Sequence, residues 1–217
     1  MNDLIQSLYA KNLDKLTYTT AYVEQPVPDI AKFINWKNIL VEPPTNSSNT
    51  TINELKIISK STLSRSKEDI QQLYIVDQDV DLYFIDLLSE YNIEYPNAYI
   101  SEWYTIIRPI LQNTKSYWNR PRPYQLAKYY NIPINMIVTD THDTAAYPSG
   151  HTVYSKLVAN ILKDMYPQIS GQKLDNIVNK TATSRVQQGV HYPSDNQASI
   201  IFSNYIFRVL NTKLRNY

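Results

Sequence analysis

The chain has 217 residues and 25.3 kDa, 43% of them hydrophobic and 19% charged, which suffices for one domain with its own core and excludes a chain left disordered for want of burial. With 21 Lys and Arg against 20 Asp and Glu, the net charge of +1 supplies no global attraction to nucleic acid or anionic lipid, so no nucleic-acid partner is expected. The lack of cysteine excludes a disulfide framework, thiolate catalysis and sulfur-ligated zinc, and a complement of only 3 glycines argues against turn-rich β architectures.

The opening stretch, MNDLIQSLYAKNLDKL, has no basic region followed by an apolar run and a small-residue cleavage site, so no signal peptide is read. The most apolar late segment, ASIIFSNYIFRVL, is interrupted by Ser203, Asn204 and Arg208 and falls short of the ~18 continuous apolar residues of a membrane helix. The expectation is a cytoplasmic protein without a transmembrane segment. Residues 41–51, VEPPTNSSNTT, cannot continue a helix and set residues 1–50 apart as an N-terminal arm or extension of a single domain spanning 1–217.

Beyond that linker the apolar period is helical. Leu55, Ile58 and Leu63 come first, then Leu73, Val76, Val80, Phe84, Leu87 and Leu88 at steps of three and four. From Glu68 to Glu94 there are eight acids and no base, which reads as a solvated helix face. Residues 97–113 and 114–130 read as two helical segments parted or kinked near Pro109. Residues 131–148 lack a sustained period and form an irregular connection. Three further helix faces follow: Val153, Leu157, Val158, Ile161, Leu162 and Met165, starting at Ser149 to His151; then Leu174, Ile177, Val178, Ala182 and Val186; then Ala198, Phe202, Tyr205, Ile206 and Val209. Without repeats or heptads, the predicted fold is all-α, a compact helical bundle.

Three clusters carry chemistry. Between Trp103 and Thr139 lie Arg108, Lys115, Arg120, Arg122 and Lys128 with no acid among them, a local anion-attracting segment. In AYPSGH, residues 146–151, Gly150 sits between a hydroxyl and an imidazole at a helix start, where unpaired N–H groups and the positive end of the helix dipole suit phosphate, although Ser149 taken alone reads as an N-cap. In SRVQQGVHYPSD, residues 184–195, His191 and Asp195 are spaced so that a carboxylate fixes the imidazole tautomer. Of the three histidines, His142, His151 and His191, two lie in clusters that also hold a glycine.

These residues resemble the three-part signature of the type 2 phosphatidic acid phosphatase (PAP2) superfamily: Lys115, six residues, Arg122-Pro123; then Pro148-Ser149-Gly150-His151; then Ser184-Arg185, five residues, His191, three residues, Asp195. That superfamily includes lipid phosphatases, soluble class A acid phosphatases and vanadium-dependent haloperoxidases. The resemblance implies the family's all-α fold, a catalytic core at about 97–212, and a phosphate cradle of Lys115, Arg122, Arg185, Ser149 and Gly150. It also implies His191 as the nucleophile, Asp195 as its orienter and His151 as the acid that protonates the leaving oxygen and then activates water. No metal cofactor is implied. The expected activity is metal-independent hydrolysis of a small soluble phosphomonoester through phosphohistidine, of the acid-phosphatase type. The alternative is a haloperoxidase with vanadate as cofactor in the same cradle. Some bromoperoxidases carry an extra histidine five positions before the motif serine, where this chain has Thr144, which favours the phosphatase. The role of Arg120 and the oligomeric state are left open, a homo-oligomer being allowed.

Overall fold

A computed structural model describes residues 2–19, 24–139 and 141–214. The long elements are helices α1 (Asn2–Asp14), α2 (Asn49–Leu63), α3 (Lys67–Gln78), α4 (Asp81–Ser89), α5 (Asn97–Trp118), α7 (Gly150–Met165), α8 (Gly171–Gln187) and α9 (Pro193–Leu214). A short α6 (Pro123–Leu126) runs on into a 3-10 turn, and no strand occurs among the described residues. The all-α expectation holds.

Local chemistry starts several helices where they start. Ser48 accepts the Thr51 N–H ahead of α2, and Ser66 and Asp69 form a reciprocal capping box at α3, each satisfying donors that a helix end leaves unpaired. The predicted break near Pro109 does not occur. α5 is one helix of 22 residues through Pro109, because Ile100, Trp103, Ile107, Ile110 and Leu111 form a single buried stripe on both sides of it. Burying that stripe outweighs the ~3 kcal/mol that an interior proline costs. The helix ends instead at Asn119, which takes the left-handed conformation with φ 44°.

α7 and α9 lie along each other, with α5 and α8 packed against α7. The main core joins Phe84, Leu88, Ile100, Trp103, Leu157, Leu162, Phe202 and Ile206, and includes Ala31, Ile34 and Leu40 from before the proline-rich segment. Trp103 stacks on Phe207 with centroids 5.4 Å apart. A smaller apolar cluster, with Leu13, Leu55, Ile58, Leu126, Ala146 and Tyr192, fastens α1 and α2 to the other side. Ser199 of α9 accepts the Ser149 N–H at 2.8 Å, and Ser203 donates to Val153 O at 3.1 Å. These two bonds hold the N-terminal end of α7 against α9, and the site forms at that end.

Candidate active site

Every predicted site residue sits at a helix end, and the packing gathers those ends. Lys115 lies in the last turn of α5, Arg122 at the start of α6, Gly150 and His151 in the first turn of α7, Arg185 in the last turn of α8 and Asp195 in the first turn of α9. His191 occupies the short connection between α8 and α9. A cavity of about 540 Å³ opens onto Lys115, Arg122, Gly150, His151 and His191. Its outer wall carries Asp79, Asp81, Tyr104, Arg108, Gln112, Asp143, Thr144 and Tyr154.

The hydrogen bonds fix both imidazole tautomers. His191 Nδ1 lies 3.1 Å from Asp195 Oδ2, and a carboxylate can only accept, so Nδ1 carries the proton and Nε2 holds the lone pair. Arg122 Nη1 donates to that Nε2 at 2.8 Å and to Val190 O at 2.8 Å. His151 Nε2 lies 3.0 Å from the carbonyl of Asp77, so Nε2 is the donor there and Nδ1 is the atom that titrates.

The cations are buried and only partly satisfied. Lys115 Nζ donates to Ala145 O at 2.7 Å, and Arg122 Nε to Thr144 O at 2.8 Å. Among the described residues neither forms an ion pair, whereas Arg185 pairs with Asp77 and donates to Thr141 Oγ1 at 3.1 Å. Arg122 Nη2 and Arg185 Nε are buried without a hydrogen-bond partner among the described residues. Burial, with Arg185 nearby, brings the Arg122 guanidinium down to about 10, and burial lowers the Lys115 ammonium well below its ordinary value. Both histidines are held neutral. Burial, reinforced by Arg185, pushes His151 down to about 3, and burial with Arg122 and Lys115 depresses His191. Lys115 and Arg122 thus have no carboxylate partner among the described residues, although Asp77, Asp79, Asp81 and Asp143 also line the cavity.

Ser149 and Arg185 are wholly buried and lie behind the cavity wall. Ser149 makes no side-chain cap; its Oγ lies 3.1 Å from Thr152 Oγ1, which itself donates to Asn196 Oδ1 at 2.8 Å. With the Thr152 proton committed, the Ser149 hydroxyl donates to Thr152. His142, outside the signature, contacts Thr139 and sits edge-on to Tyr124, with centroids 6.0 Å apart.

One sequence expectation fails here with consequence. The acidic stretch from Glu68 to Glu94 is not simply a solvated face: Asp77 is 4% exposed and its carboxylate takes Arg185 and Thr141 Oγ1. Burial alone would raise this carboxyl, but Arg185 and Thr141 bring it below the ordinary range. Asp81 likewise accepts from the Tyr95 hydroxyl at 2.6 Å and the Tyr154 hydroxyl at 2.8 Å. A weak signal was present, since Val76 and Val80 flank Asp77 on the apolar period.

A model of the PAP2 superfamily matches residues 100–216. No curated protein matches the chain significantly. Among solved structures, the chain is similar to a transmembrane PAP2-type phosphatidylglycerolphosphate phosphatase from Bacillus subtilis, with a TM-score of 0.52 and 16% identity over 78% of this chain and 88% of that one. At that identity the likeness is one of fold. It nevertheless removes the expectation of a cytoplasmic protein, because this helical arrangement also occurs in a transmembrane enzyme. No helix among the described residues is long and apolar enough to cross a membrane. With its signature residues gathered round one cavity and more than half its length matched, the chain belongs to the PAP2 superfamily.

Proposed function

We propose that the protein is a phosphomonoester hydrolase that works through a phosphohistidine intermediate, without a metal, on a soluble phosphorylated substrate. One observation carries the reading: two buried guanidinium atoms, Arg122 Nη2 and Arg185 Nε, have no partner among the described residues, beside a cavity that also exposes two neutral imidazoles. Unpaired buried cationic donors are costly, and a phosphate dianion satisfies several at once.

In this reading the phosphoryl oxygens take Lys115, Arg122, Arg185 and the α7 N-terminus at Gly150, whose dipole favours an anion. Ser149 joins by turning its hydroxyl away from Thr152. Drawing the Arg122 guanidinium onto phosphate releases His191 Nε2, which attacks phosphorus as the P–O bond to the leaving group breaks. His151, neutral in the empty site, takes up a proton at Nδ1 as the phosphate dianion binds beside it, and Nδ1 gives that proton to the leaving oxygen. Water then attacks phosphorus, losing a proton to His151 Nδ1, the P–N bond breaks, and inorganic phosphate leaves with His191 neutral again. Asp195 holds the His191 proton throughout. The three protein cations supply the charge stabilisation that a divalent ion provides in other phosphoryl-transfer sites. The polar outer wall, with Asp79, Asp81, Gln112 and Arg108, suits a hydrophilic leaving group. The same donors fit vanadate, which places it as an inhibitor of this reaction.

The test is release of phosphate from aryl and sugar phosphates and from a phosphorylated lipid in vesicles, with chelator present throughout. The expected result is turnover of the soluble esters, insensitive to chelator and inhibited competitively by orthovanadate. Turnover confined to vesicles overturns the soluble substrate, and activity restored only by a divalent ion overturns the metal-free mechanism.

A further inference from the structure

The Arg120 guanidinium stands behind the His191–Asp195 pair. It is 3% exposed, and its partners Asp195, Glu54, Ser194 and Thr51 all lie off the cavity, whereas Arg185, also buried, pairs with Asp77 and Thr141 of the cavity lining. Its Nη1 donates to Asp195 Oδ1 at 2.6 Å and to Ser194 Oγ at 2.8 Å, while the other Asp195 oxygen takes His191 Nδ1 and the Tyr192 N–H. The guanidinium plane lies 3.8 Å from the centroid of the Tyr192 ring. On its far side sits Glu54 of α2, 7% exposed, whose Oε2 is 3.4 Å from Arg120 Nη2. Glu54 also accepts the Ser194 N–H at 2.6 Å and the Ser194 hydroxyl at 2.8 Å, which ties it to the first turn of α9 beside Asp195.

We propose that Arg120 and Glu54 are positioning residues for the nucleophile: Glu54 clamps Arg120, and Arg120 holds Asp195 charged and oriented so that His191 keeps its proton on Nδ1. The inference rests on the phosphohistidine reading. It brings α2, which lies outside the stretch matched by the family model, into the catalytic apparatus. Reaching two carboxylates at once, Asp195 from Nη1 and Glu54 from Nη2, takes both arms of a planar fork, so Arg120→Lys retains the charge and loses half the geometry. Asp195 is buried, which raises its carboxyl, and Arg120 is the leading influence pulling it back. Loss of Arg120 therefore moves Asp195 further up, and the acid limb of the rate profile, which reports its ionisation, moves to higher pH.

The experiment compares Arg120→Gln, Arg120→Lys and Glu54→Gln with Arg122→Lys, in kcat, KM and the inhibition constant of orthovanadate across pH. Arg120→Gln is expected to lower kcat on the order of 10²-fold, short of the ~10⁴ seen when a triad histidine adopts the wrong tautomer, with KM and vanadate inhibition unchanged. Its acid limb shifts to higher pH, and Arg120→Lys recovers part of both effects. In an Asp195→Asn background Arg120→Gln costs nothing further, since the two act as one unit. Vanadate inhibition weakened as much as in Arg122→Lys would make Arg120 a phosphate ligand and overturn the inference, as would a kcat equal to that of the parent. If Arg120→Gln does not fold, Arg120→Lys and Glu54→Gln decide by the same criteria. A readout without turnover separates the two claims: nitrogen NMR of histidine-labelled protein with vanadate bound. The parent is expected to show the Nδ1–H tautomer at His191 and Arg120→Lys a mixture with Nε2–H. The Nδ1–H tautomer unchanged in Arg120→Lys overturns the inference even in a chain that hydrolyses no ester, whereas the expected spectra with no ester hydrolysis overturn the phosphatase reading alone.

Discussion

In the proposed reaction His191 Nε2 is the atom on which the chemistry turns, and Arg122 Nη1 donates to it at 2.8 Å. A cation on the lone pair quiets the nucleophile until phosphate competes for the guanidinium. His191→Ala is accordingly expected to abolish turnover and the covalent intermediate together, as read by intact mass after a brief substrate pulse. His151 is different, because its Nε2 proton is committed to Asp77 O and only Nδ1 exchanges protons. Removing that acid matters in proportion to how badly the leaving group needs protonation. His151→Ala should lower kcat/KM for an alkyl phosphate by roughly 10²- to 10⁴-fold and for an aryl phosphate by far less. Equal losses on both ester types would assign His151 another role. Arg122→Lys should raise KM, since a lysine keeps one charge but loses both the anchor to Thr144 O and the free Nη2.

At the scale of elements, the turn between α8 and α9 sets the place of His191, the proposed nucleophile. Gly189 there has φ +81°, and a Cβ would lie 2.9 Å from Ile134 Cγ2 and 3.2 Å from Met136 Cβ. Its neighbours Val190 and His191 both donate backbone N–H groups to Arg185 O, at 3.2 and 3.3 Å, so a shift at 189 moves the imidazole and Arg185, the proposed phosphate ligand, together. Gly189→Ala should therefore cost ~1–3 kcal/mol, lowering Tm by roughly 3–10 °C, and reduce kcat as well. Scanning calorimetry and a rate at one pH suffice; an unchanged Tm would show that the loop at 134–136 yields without cost. The helices on either side of this turn were legible in the sequence because α7, α8 and α9 each bury one stripe of apolar residues at the helical period. Pro109 misled, since the sequence shows what a proline costs locally but not how much apolar surface spans it. Asp77 was only faintly legible, from Val76 and Val80 beside it, and Glu54 not at all, for a related reason: their partners Arg185 and Ser194 lie 108 and 140 residues away.

The assembled cradle leaves its mark on the stability of the whole molecule. Histidines in an unfolded chain titrate near ~6.5. In the folded protein burial depresses His142, His151 and His191, and cations reinforce the effect, with His151 brought to about 3. Below ~6.5 the unfolded state thus binds protons that the native state refuses, so stability rises with pH and is lost as pH falls from ~6.5 toward the folded values. The slope is at most ~1.4 kcal/mol per pH unit for each deeply buried histidine. Asp77, held below the ordinary carboxylate range, adds to the loss only nearer pH 4 and below, and Asp195, raised by burial, opposes it in the same low range. Between pH 6.5 and 5 the histidines dominate, and Tm should drop on the order of 10 °C. Orthovanadate bound against Lys115 and Arg122 brings negative charge beside both site histidines and raises them, so saturating vanadate should flatten the profile. His151→Asn, which cannot take up a proton, should also lose less between pH 7 and 5 than the parent. Thermal melts across that range, with and without vanadate, decide the matter: a Tm that stays level or climbs on acidification of the vanadate-free parent would mean that the buried imidazoles are already charged in the empty cradle, and that the neutral nucleophile on which the proposed reaction depends is not the resting form.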